Sequence, residues 1–483
     1  MKIALLNPPH RFRVSRTSRW PEHTKSGTLY YPFWLAHVAG VLLETEHEPL
    51  LIDAIARCWN FRRTLDELEK FNPELLVIET STPTFWSDLR FAEEYKRSVG
   101  GKVAVVGTHV SALPGESIRL SEAVDFIARN EYDYTIPELA NALEKDERIG
   151  DIKGISYRHN GRIVHNKNRE LIKDLDALPF VSPIYKKYLN VRDYRYALAR
   201  HPMIQIKSSR GCPSTCTFCN VPQTFMYRKY RTRSVKNFVD ELEWIAENLP
   251  EIKEIFFEDD TFSIDKKRVV EICDLIRERK LDLVWSANTR ADVPYEVLRK
   301  MKDAGCRMLI VGYESGNQGI LNNVKKGITL RQAEEFTENA KKAGIRIFGC
   351  FMIGLPGDTM ETIEETFQFA KKLSPNMIQI EQAVPFPGTE FYAWCRENNY
   401  LVTEDYEQWL DENGQLSTIV SYPELQDEEI KKMRDRLTIR FYTSPGYVLR
   451  TLANNLEPSE FKRLAKASFD YLSYLIKRRL PGV

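Results

Sequence analysis

Arg210-Gly-Cys-Pro-Ser-Thr-Cys-Thr-Phe-Cys219 is the stretch on which the fold turns. Cys212, Cys216 and Cys219 are spaced Cys-x3-Cys-x2-Cys, with Phe218 directly before the last. Three thiolates suit a cubane 4Fe–4S cluster, which leaves one iron without a protein ligand. Catalytic metals keep such a position free for substrate or cofactor. A structural zinc site usually adds a fourth Cys or His, commonly in a second paired motif. The neighbouring sequence offers none.

With 483 residues, two or three domains and a large core are expected. The net charge of +1 gives no argument for nucleic acid as a partner. The other cysteines, Cys58, Cys273, Cys306, Cys350 and Cys395, stand singly, unlike a secreted disulfide framework. The opening Met1-Lys-Ile-Ala-Leu-Leu-Asn-Pro-Pro9 is too short an apolar run for a signal peptide. No stretch approaches the ~20 apolar residues of a spanning helix. A cytoplasmic, reducing setting is therefore expected.

The pattern divides the chain into four parts: 1–150, 151–200, 201–390 and 391–483. In the first, Lys2–Leu6, Leu50–Asp53, Leu75–Glu79 and Val103–Gly107 read as parallel strands. Helical stretches at Phe33–Glu44, Arg63–Phe71 and Ser87–Val99 separate them. This alternation predicts a doubly wound, Rossmann-like α/β sheet. Ligands bind such sheets at the carboxyl ends of the strands, here Asn7-Pro-Pro, Ser81-Thr82-Pro83 and Gly107-Thr108-His109. In the second part, two alternating runs around Asn160-Gly161 predict a hairpin, and a Pro-containing linker follows.

From Met203 the alternation restarts, with strands at Met203–Ser208, Glu254–Asp259, Leu283–Asn288, Met308–Tyr313, Ile345–Leu355 and Met377–Val384. Six units suggest a partial (β/α)6 barrel, with chemistry where strands run into the following loops. The cysteine loop follows the first of these strands. The last part reads as mostly helical and ends basic, twelve Lys/Arg against four Asp/Glu from Lys431 to Val483. Lys462, Arg463, Lys466, Lys477, Arg478 and Arg479 alternate there with aromatic and aliphatic residues. Two readings stand open: peripheral contact with the inner membrane face, or a helix packed on the barrel with a solvated basic side.

The cysteine spacing with its aromatic resembles the signature of the radical S-adenosylmethionine (radical SAM) superfamily. The resemblance implies that the open iron chelates the amino and carboxylate groups of SAM. Reduction by a low-potential electron donor then releases a 5′-deoxyadenosyl radical. The cofactor carries the hard chemistry and the protein supplies orientation, so polar groups are expected at successive strand ends. Glu258, Asp259 and Asp260 end the second barrel strand and can accept hydrogen bonds from the SAM ammonium. They can equally be an acidic cluster at a helix N-terminus. The superfamily's frequent Gly-Gly-Glu is missing. Asn288 and Arg290 end the third strand, Glu314 the fourth, and Gly354 the fifth, where a glycine turn can approach adenine or simply lead into a helix. Phe218 completes the SAM set. No catalytic residue is assigned; Cys306, Cys350, Tyr313 and Tyr392 are candidates to quench a radical, although a lone Cys or Tyr in a barrel usually packs.

Beyond the loop, the chain resembles radical SAM enzymes with an N-terminal cobalamin-binding-type domain, most closely the hopanoid cyclitol ether synthase family. The similar segments are Tyr31–Ala36, Glu131–Ile136, Lys153–Arg158, Asp176–Val181, Tyr230–Ser234, Val311–Gln318 and Pro385–Thr389. Archaeal calditol synthase is a related family. The resemblance implies ring contraction of a lipid-linked sugar headgroup to a cyclitol ether. It also implies cobalamin as a further cofactor, near Ser81, Thr82, Gly107, Thr108 and His109. One departure matters: the Asp-x-His-x-x-Gly that supplies a lower cobalt ligand is missing, and His109 has neither that Asp nor that Gly. The domain can also have kept only the fold. Two other functions stand beside ring contraction: a cobalamin-dependent radical SAM methyltransferase acting on an unactivated carbon, and a non-catalytic iron–sulfur protein.

Overall fold

The computed structural model describes residues 1–196 and 199–453. The basic run from Lys462 to Arg479 lies outside the described residues. Seven strands form the first sheet: β1 (Lys2–Asn7), β2 (Glu48–Asp53), β3 (Leu75–Glu79), β4 (Lys102–Val106), β5 (Phe126–Ala128), β6 (Ile155–His159) and β7 (Arg162–His165). Their order is β2-β1-β3-β4-β5-β6-β7. The first five run parallel, and β6 and β7 pair antiparallel. Strands β1, β3 and β4 are near-continuous Val, Ile and Leu because helices cover both faces of a parallel sheet. The Asn160-Gly161 turn closes the expected hairpin, which extends the first sheet by two strands.

The second sheet is all parallel, entered at β8 (Met203–Ile206). A short antiparallel ribbon of β9 (Ser209–Arg210) and β10 (Arg231–Thr232) brackets the cysteine loop. Then come β11 (Glu254–Phe257), β12 (Trp285–Thr289), β13 (Cys306–Glu314), β14 (Arg346–Ile353) and β15 (Met377–Gln382). The order β15-β14-β13-β12-β11-β8 leaves β8 and β15 as edges, so the barrel is open on one side. The helix Asp427–Tyr442 covers β15, with Arg434 donating to Gln382 and the Tyr442 hydroxyl to Ile378 O.

Buried aromatic contacts hold the two sheets together. The Tyr31 amide donates to Gln205 Oε1 and its hydroxyl to Met203 O, each at 2.8 Å. Its ring stacks at 3.8 Å on Tyr194, whose hydroxyl donates to Asp53 Oδ2 at 2.8 Å. The strand ends of the two sheets face each other. Arg19, in the segment after β1, reaches Glu258 beyond β11. Tyr406, in a 3-10 turn after the barrel, packs edge-on against His109 beyond β4. Among the described residues no helix is long and apolar enough to cross a membrane.

Candidate functional site

The cysteine loop is fixed at both ends before any metal is considered. Arg210 donates to Glu131 Oε1 at 3.1 Å and, through both terminal nitrogens, to Asp133 at 2.9 and 2.8 Å. Its guanidinium lies over the Trp34 ring. This buried fork ties the start of the loop to the first sheet. Gly211 follows at φ +85°, where any Cβ would collide with Lys229 O; only glycine allows this turn. Inside the loop, Gln223 Nε2 donates to the carbonyls of Cys216, Thr217 and Cys219 at 3.3, 2.9 and 2.8 Å.

Cys212 and Cys216 are buried, Cys219 is half-buried, and all three are free thiols. Burial, then the neighbouring Cys216, pushes the Cys219 thiol up, while Arg19 works against the rise. Three thiols on one short loop, mutually close enough to interact electrostatically, fit a cluster that takes them as thiolates and supplies the compensating charge. Among the described residues no three such side chains converge on one point for a single ion, whereas a four-iron cluster spreads its ligands wider. Phe218 is buried in the same core as Cys216.

The acidic run after β11 divides by direction. Asp259, fully buried, accepts from Ser208 N, Ser208 Oγ and Ser209 Oγ, which locks the end of β8. Glu258 and Asp260 turn to Arg19, which donates to them at 3.3 and 3.1 Å. Asp260 also accepts Gly211 N at 2.8 Å, joining the acid to the cysteine loop. Burial raises the Glu258 carboxyl against the pull of Arg19 and Lys207. At Asp260 burial pushes the same way, but Lys207 and Arg19 outweigh it and the carboxyl is lowered. Asn288 donates to Glu258 Oε2 at 3.2 Å, so those two lie together.

Other expected contacts point elsewhere. Arg290 donates to the carbonyls of Lys326 and Gly327 at 2.5 and 3.1 Å, bracing a loop. Glu314 stands at φ +66° beside a bulge in β13 and accepts Lys326 Nζ at 2.6 Å. Gly354, at φ +79°, lies under Ile430, and its carbonyl accepts the Tyr422 hydroxyl at 2.8 Å. The C-terminal segment therefore covers that turn. Cys306 begins β13 at the end remote from these loops, and the Tyr313 hydroxyl bonds Thr337 outside the barrel. Tyr392 lies on the helix Glu390–Glu397 after the barrel. Cys350 is half-buried, and its thiol is pushed up by burial, then by Glu314, with Lys326, Glu381 and Arg19 also acting on it. The sequence pattern missed Arg19, Gln223, Lys207 and Lys326, since single polar residues in loops carry no periodic signal.

At the ends of β3 and β4, Ser81 and Thr82 are buried in a tight turn and Gly107 stands at φ +121°, pressed on Thr80 O. Thr108 opens a short helix. His109 is buried between Phe85 and Tyr406, with Nδ1 3.2 Å from Thr82 Oγ1. Burial lowers it to about 3, so the ring is neutral. Among the described residues, neither its Nε2 nor Glu79 Oε2, both buried, has a hydrogen-bond partner.

A family model for the radical SAM superfamily matches residues 206–370. An uncharacterised methyltransferase of Pyrococcus horikoshii is 31% identical over 486 aligned positions, covering 100% of this chain and 98% of that one. An anaerobic magnesium-protoporphyrin IX monomethyl ester cyclase of Rubrivivax gelatinosus is 25% identical over 81% of this chain and 69% of its own. A hopanoid C-3 methylase of Methylococcus capsulatus is 28% identical over 85% and 77%. Among solved structures, the radical SAM methyltransferase TsrM of Kitasatospora setae, with cobalamin and a 4Fe–4S cluster bound, has a TM-score of 0.72. It is 15% identical over 98% of this chain and 99% of its own, a likeness of fold.

These findings correct the expectation of headgroup ring contraction. The relative that spans the whole chain is named a methyltransferase, and none of these similar proteins is a cyclitol ether synthase. The segments quoted for that resemblance lie in the α/β scaffold and its loops, which enzymes of different chemistry share. The chain belongs to the radical SAM superfamily, whose members use a 4Fe–4S cluster and SAM.

Proposed function

We propose that this protein is a cobalamin-dependent radical SAM methyltransferase that places a methyl group on an unactivated carbon. The observation that carries the reading is the facing of the two strand-end rims: Arg210 after β8 donates to Glu131 and Asp133 after β5, and Arg19, in the segment that follows β1, donates to Glu258, the Asp259 carbonyl and Asp260 after β11. A methyl carrier on the first rim and a radical source on the second would share one chamber. A relative aligned over the full length of this chain is named an uncharacterised methyltransferase, which supports methyl transfer as the reaction.

The residues at the first rim fit cobalamin. The orphaned acceptor Glu79 Oε2 and the orphaned ring nitrogen of His109 lie buried where β3 and β4 end. Both suit a cofactor whose edge is rich in amide groups. His109 is held between Phe85 and Tyr406, so it would line the site rather than ligate cobalt. Cys212, Cys216 and Cys219 would hold the cluster, and Glu258 with Asn288 would meet the SAM ammonium. When bound, the cofactors supply a methyl carrier and a one-electron cleavage of SAM, fed by an external low-potential donor. The chain's own work is placement: Arg210 and Gln223 fix the loop, and Asp260 ties it to the acidic rim.

The experiment is anaerobic reconstitution with cobalamin and methyl-deuterated SAM under reducing conditions, without added substrate. About one equivalent of S-adenosylhomocysteine per bound cobalamin is expected, with the label retained by the protein. Deoxyadenosine alone, with no homocysteine nucleoside, would overturn the reading and favour chemistry like that of the cyclase-named relative.

A further inference from the structure

Where β8 runs toward the cysteine loop there is a cavity of about 10 Å³, room for one water-sized occupant. Its lining joins apolar Leu175 and Leu178 of the linker to four basic side chains, His37, Lys207, Arg210 and Arg233. The helix Phe33–Leu43 and the end of β8 bring these groups together. The Lys207 ammonium lies 4.7 Å from the Phe33 ring centre and 5.4 Å from that of Trp34. The Arg210 guanidinium lies 4.7 Å from the same Trp34 ring. His37 follows Phe33 and Trp34 by four and three positions, so it shares their face of the helix. Arg233 donates to the Lys207 carbonyl at 3.1 Å.

Most of this positive charge is matched. Arg210 and Arg231 share Glu131 and Asp133, and Arg233 is paired with Glu241. Lys207 differs. It is 8% exposed, and among the described residues its ammonium has neither an ion pair nor a hydrogen bond. The two rings attract the charge but leave its protons without a strong acceptor. Asp260, Glu258 and Asp259 act on it from beyond ion-pair distance, and all three are engaged by Arg19, Ser208 or Ser209. His37 Nδ1 is buried and likewise has no partner among the described residues. Burial, then Arg210, Arg233 and Lys207, holds that ring well below its ordinary range, so it is neutral and offers one N–H.

We propose that this cavity binds a small monoanion, of halide or formate size, held by Lys207 with Arg210 and His37. The volume sets the size, and the single cation without a direct partner sets the charge. An anion accepts from ammonium, guanidinium and imidazole at once, whereas a water would turn hydrogens toward some of them. Bound there, the ion ties the helix Phe33–Leu43 of the first sheet to the strand that leads into Cys212. The site is independent of the reaction assigned above.

The test uses the full chain at constant ionic strength, with bromide or formate exchanged for gluconate, an anion too large for the cavity. Bromide is expected to raise the melting midpoint along a saturating curve, and a bromide-soaked crystal should show an anomalous peak between Lys207 and His37. Lys207→Met keeps the chain that packs on Phe33 and Trp34 but removes the charge. It should weaken the half-saturating concentration roughly 10- to 100-fold, the loss of one charge-assisted bond. His37→Leu, which leaves every charge in place, should weaken it less and serves if the lysine variant does not fold. A saturating response to formate alone, lost in these variants, upholds the site and makes its occupant a carboxylate. No response to either anion beyond gluconate, an unchanged response in both variants, or a bromide peak only elsewhere would each overturn the proposal.

Discussion

Lys326 gives its ammonium to Glu314 at 2.6 Å, both side chains being about nine-tenths buried. Burial works against the lysine's charge, yet Glu314 overrides it and the ammonium is held above its ordinary range. The pair joins the bulge of β13 to the loop that also receives Arg290. Removing one partner strands a buried charge, which costs about 3–5 kcal/mol. Lys326→Met should lose that much in chemical denaturation. Glu314→Gln added to it should recover most of the loss. Equal stability of Lys326→Met and wild type would mean that the pair is solvated.

Gly312 sits so close to this pair that an added Cβ would press on Glu314 Oε1 and lie 3.0 Å from Lys326 Nζ. Gly312→Ala should therefore lower the melting midpoint by several degrees. In a Glu314→Gln, Lys326→Met background the same change should cost much less, because the displaced charges are gone.

Replacing Cys212, Cys216 or Cys219 by Ser should each abolish iron retention and the visible charge-transfer absorption after anaerobic reconstitution. Cys306→Ser and Cys395→Ser should retain both, since these thiols are packed in the core. Gln223→Leu frees three loop carbonyls and should yield a cluster that forms but is lost faster in air.

Among the three acids after β11, direction predicts consequence. Glu258→Gln should weaken SAM binding roughly 10-fold, as expected for one charge-assisted hydrogen bond, with little change in melting. Asp259→Asn should do the reverse, because that carboxylate accepts from two serines of the barrel. Equilibrium dialysis beside thermal melts separates the two.

Glu22 shifts from an ordinary 4.5 to about 8 in the fold. Between those values the folded chain holds a proton that the unfolded chain releases, so stability falls as pH rises through this window and then levels. Glu79, also near 8 because of burial, adds to the same slope. Glu22→Gln should flatten the fall and melt higher than wild type above pH 8. A parallel curve for the variant would remove Glu22 from the titration.

The strands were legible because buried parallel strands write themselves as short Val, Ile and Leu runs. Leu75–Glu79 has the expected ends, and Met377–Gln382 differs by two residues. The Asn160-Gly161 hairpin was equally plain; its pairing with β5 was not, since Phe126–Ala128 is only three residues long. The cysteine loop announced itself by spacing. Arg19 did not, because nothing in residues 8–32 repeats with a period and its partners come from beyond β11. Asp259 reads like its neighbours in sequence, and only the turn after β11 decides which acids meet Arg19 and which one meets Ser208 and Ser209. Glu22 meets the Leu416 amide solely through the closure of the chain around the barrel.

That closure has a consequence for how the molecule is made. The amide of Leu416 meets Glu22 across a separation of 394 residues. At roughly 5–20 residues per second, its partner leaves the ribosome about 20–80 s after Glu22 does. The first sheet, complete by His165, can assemble in that interval with Glu22 still hydrated and ionised. When the C-terminal segment finally docks, Glu22 loses its water and takes up a proton. Docking of that segment is thus coupled to proton uptake, and the docked state should gain stability over the undocked one as the buffer is made mildly acidic.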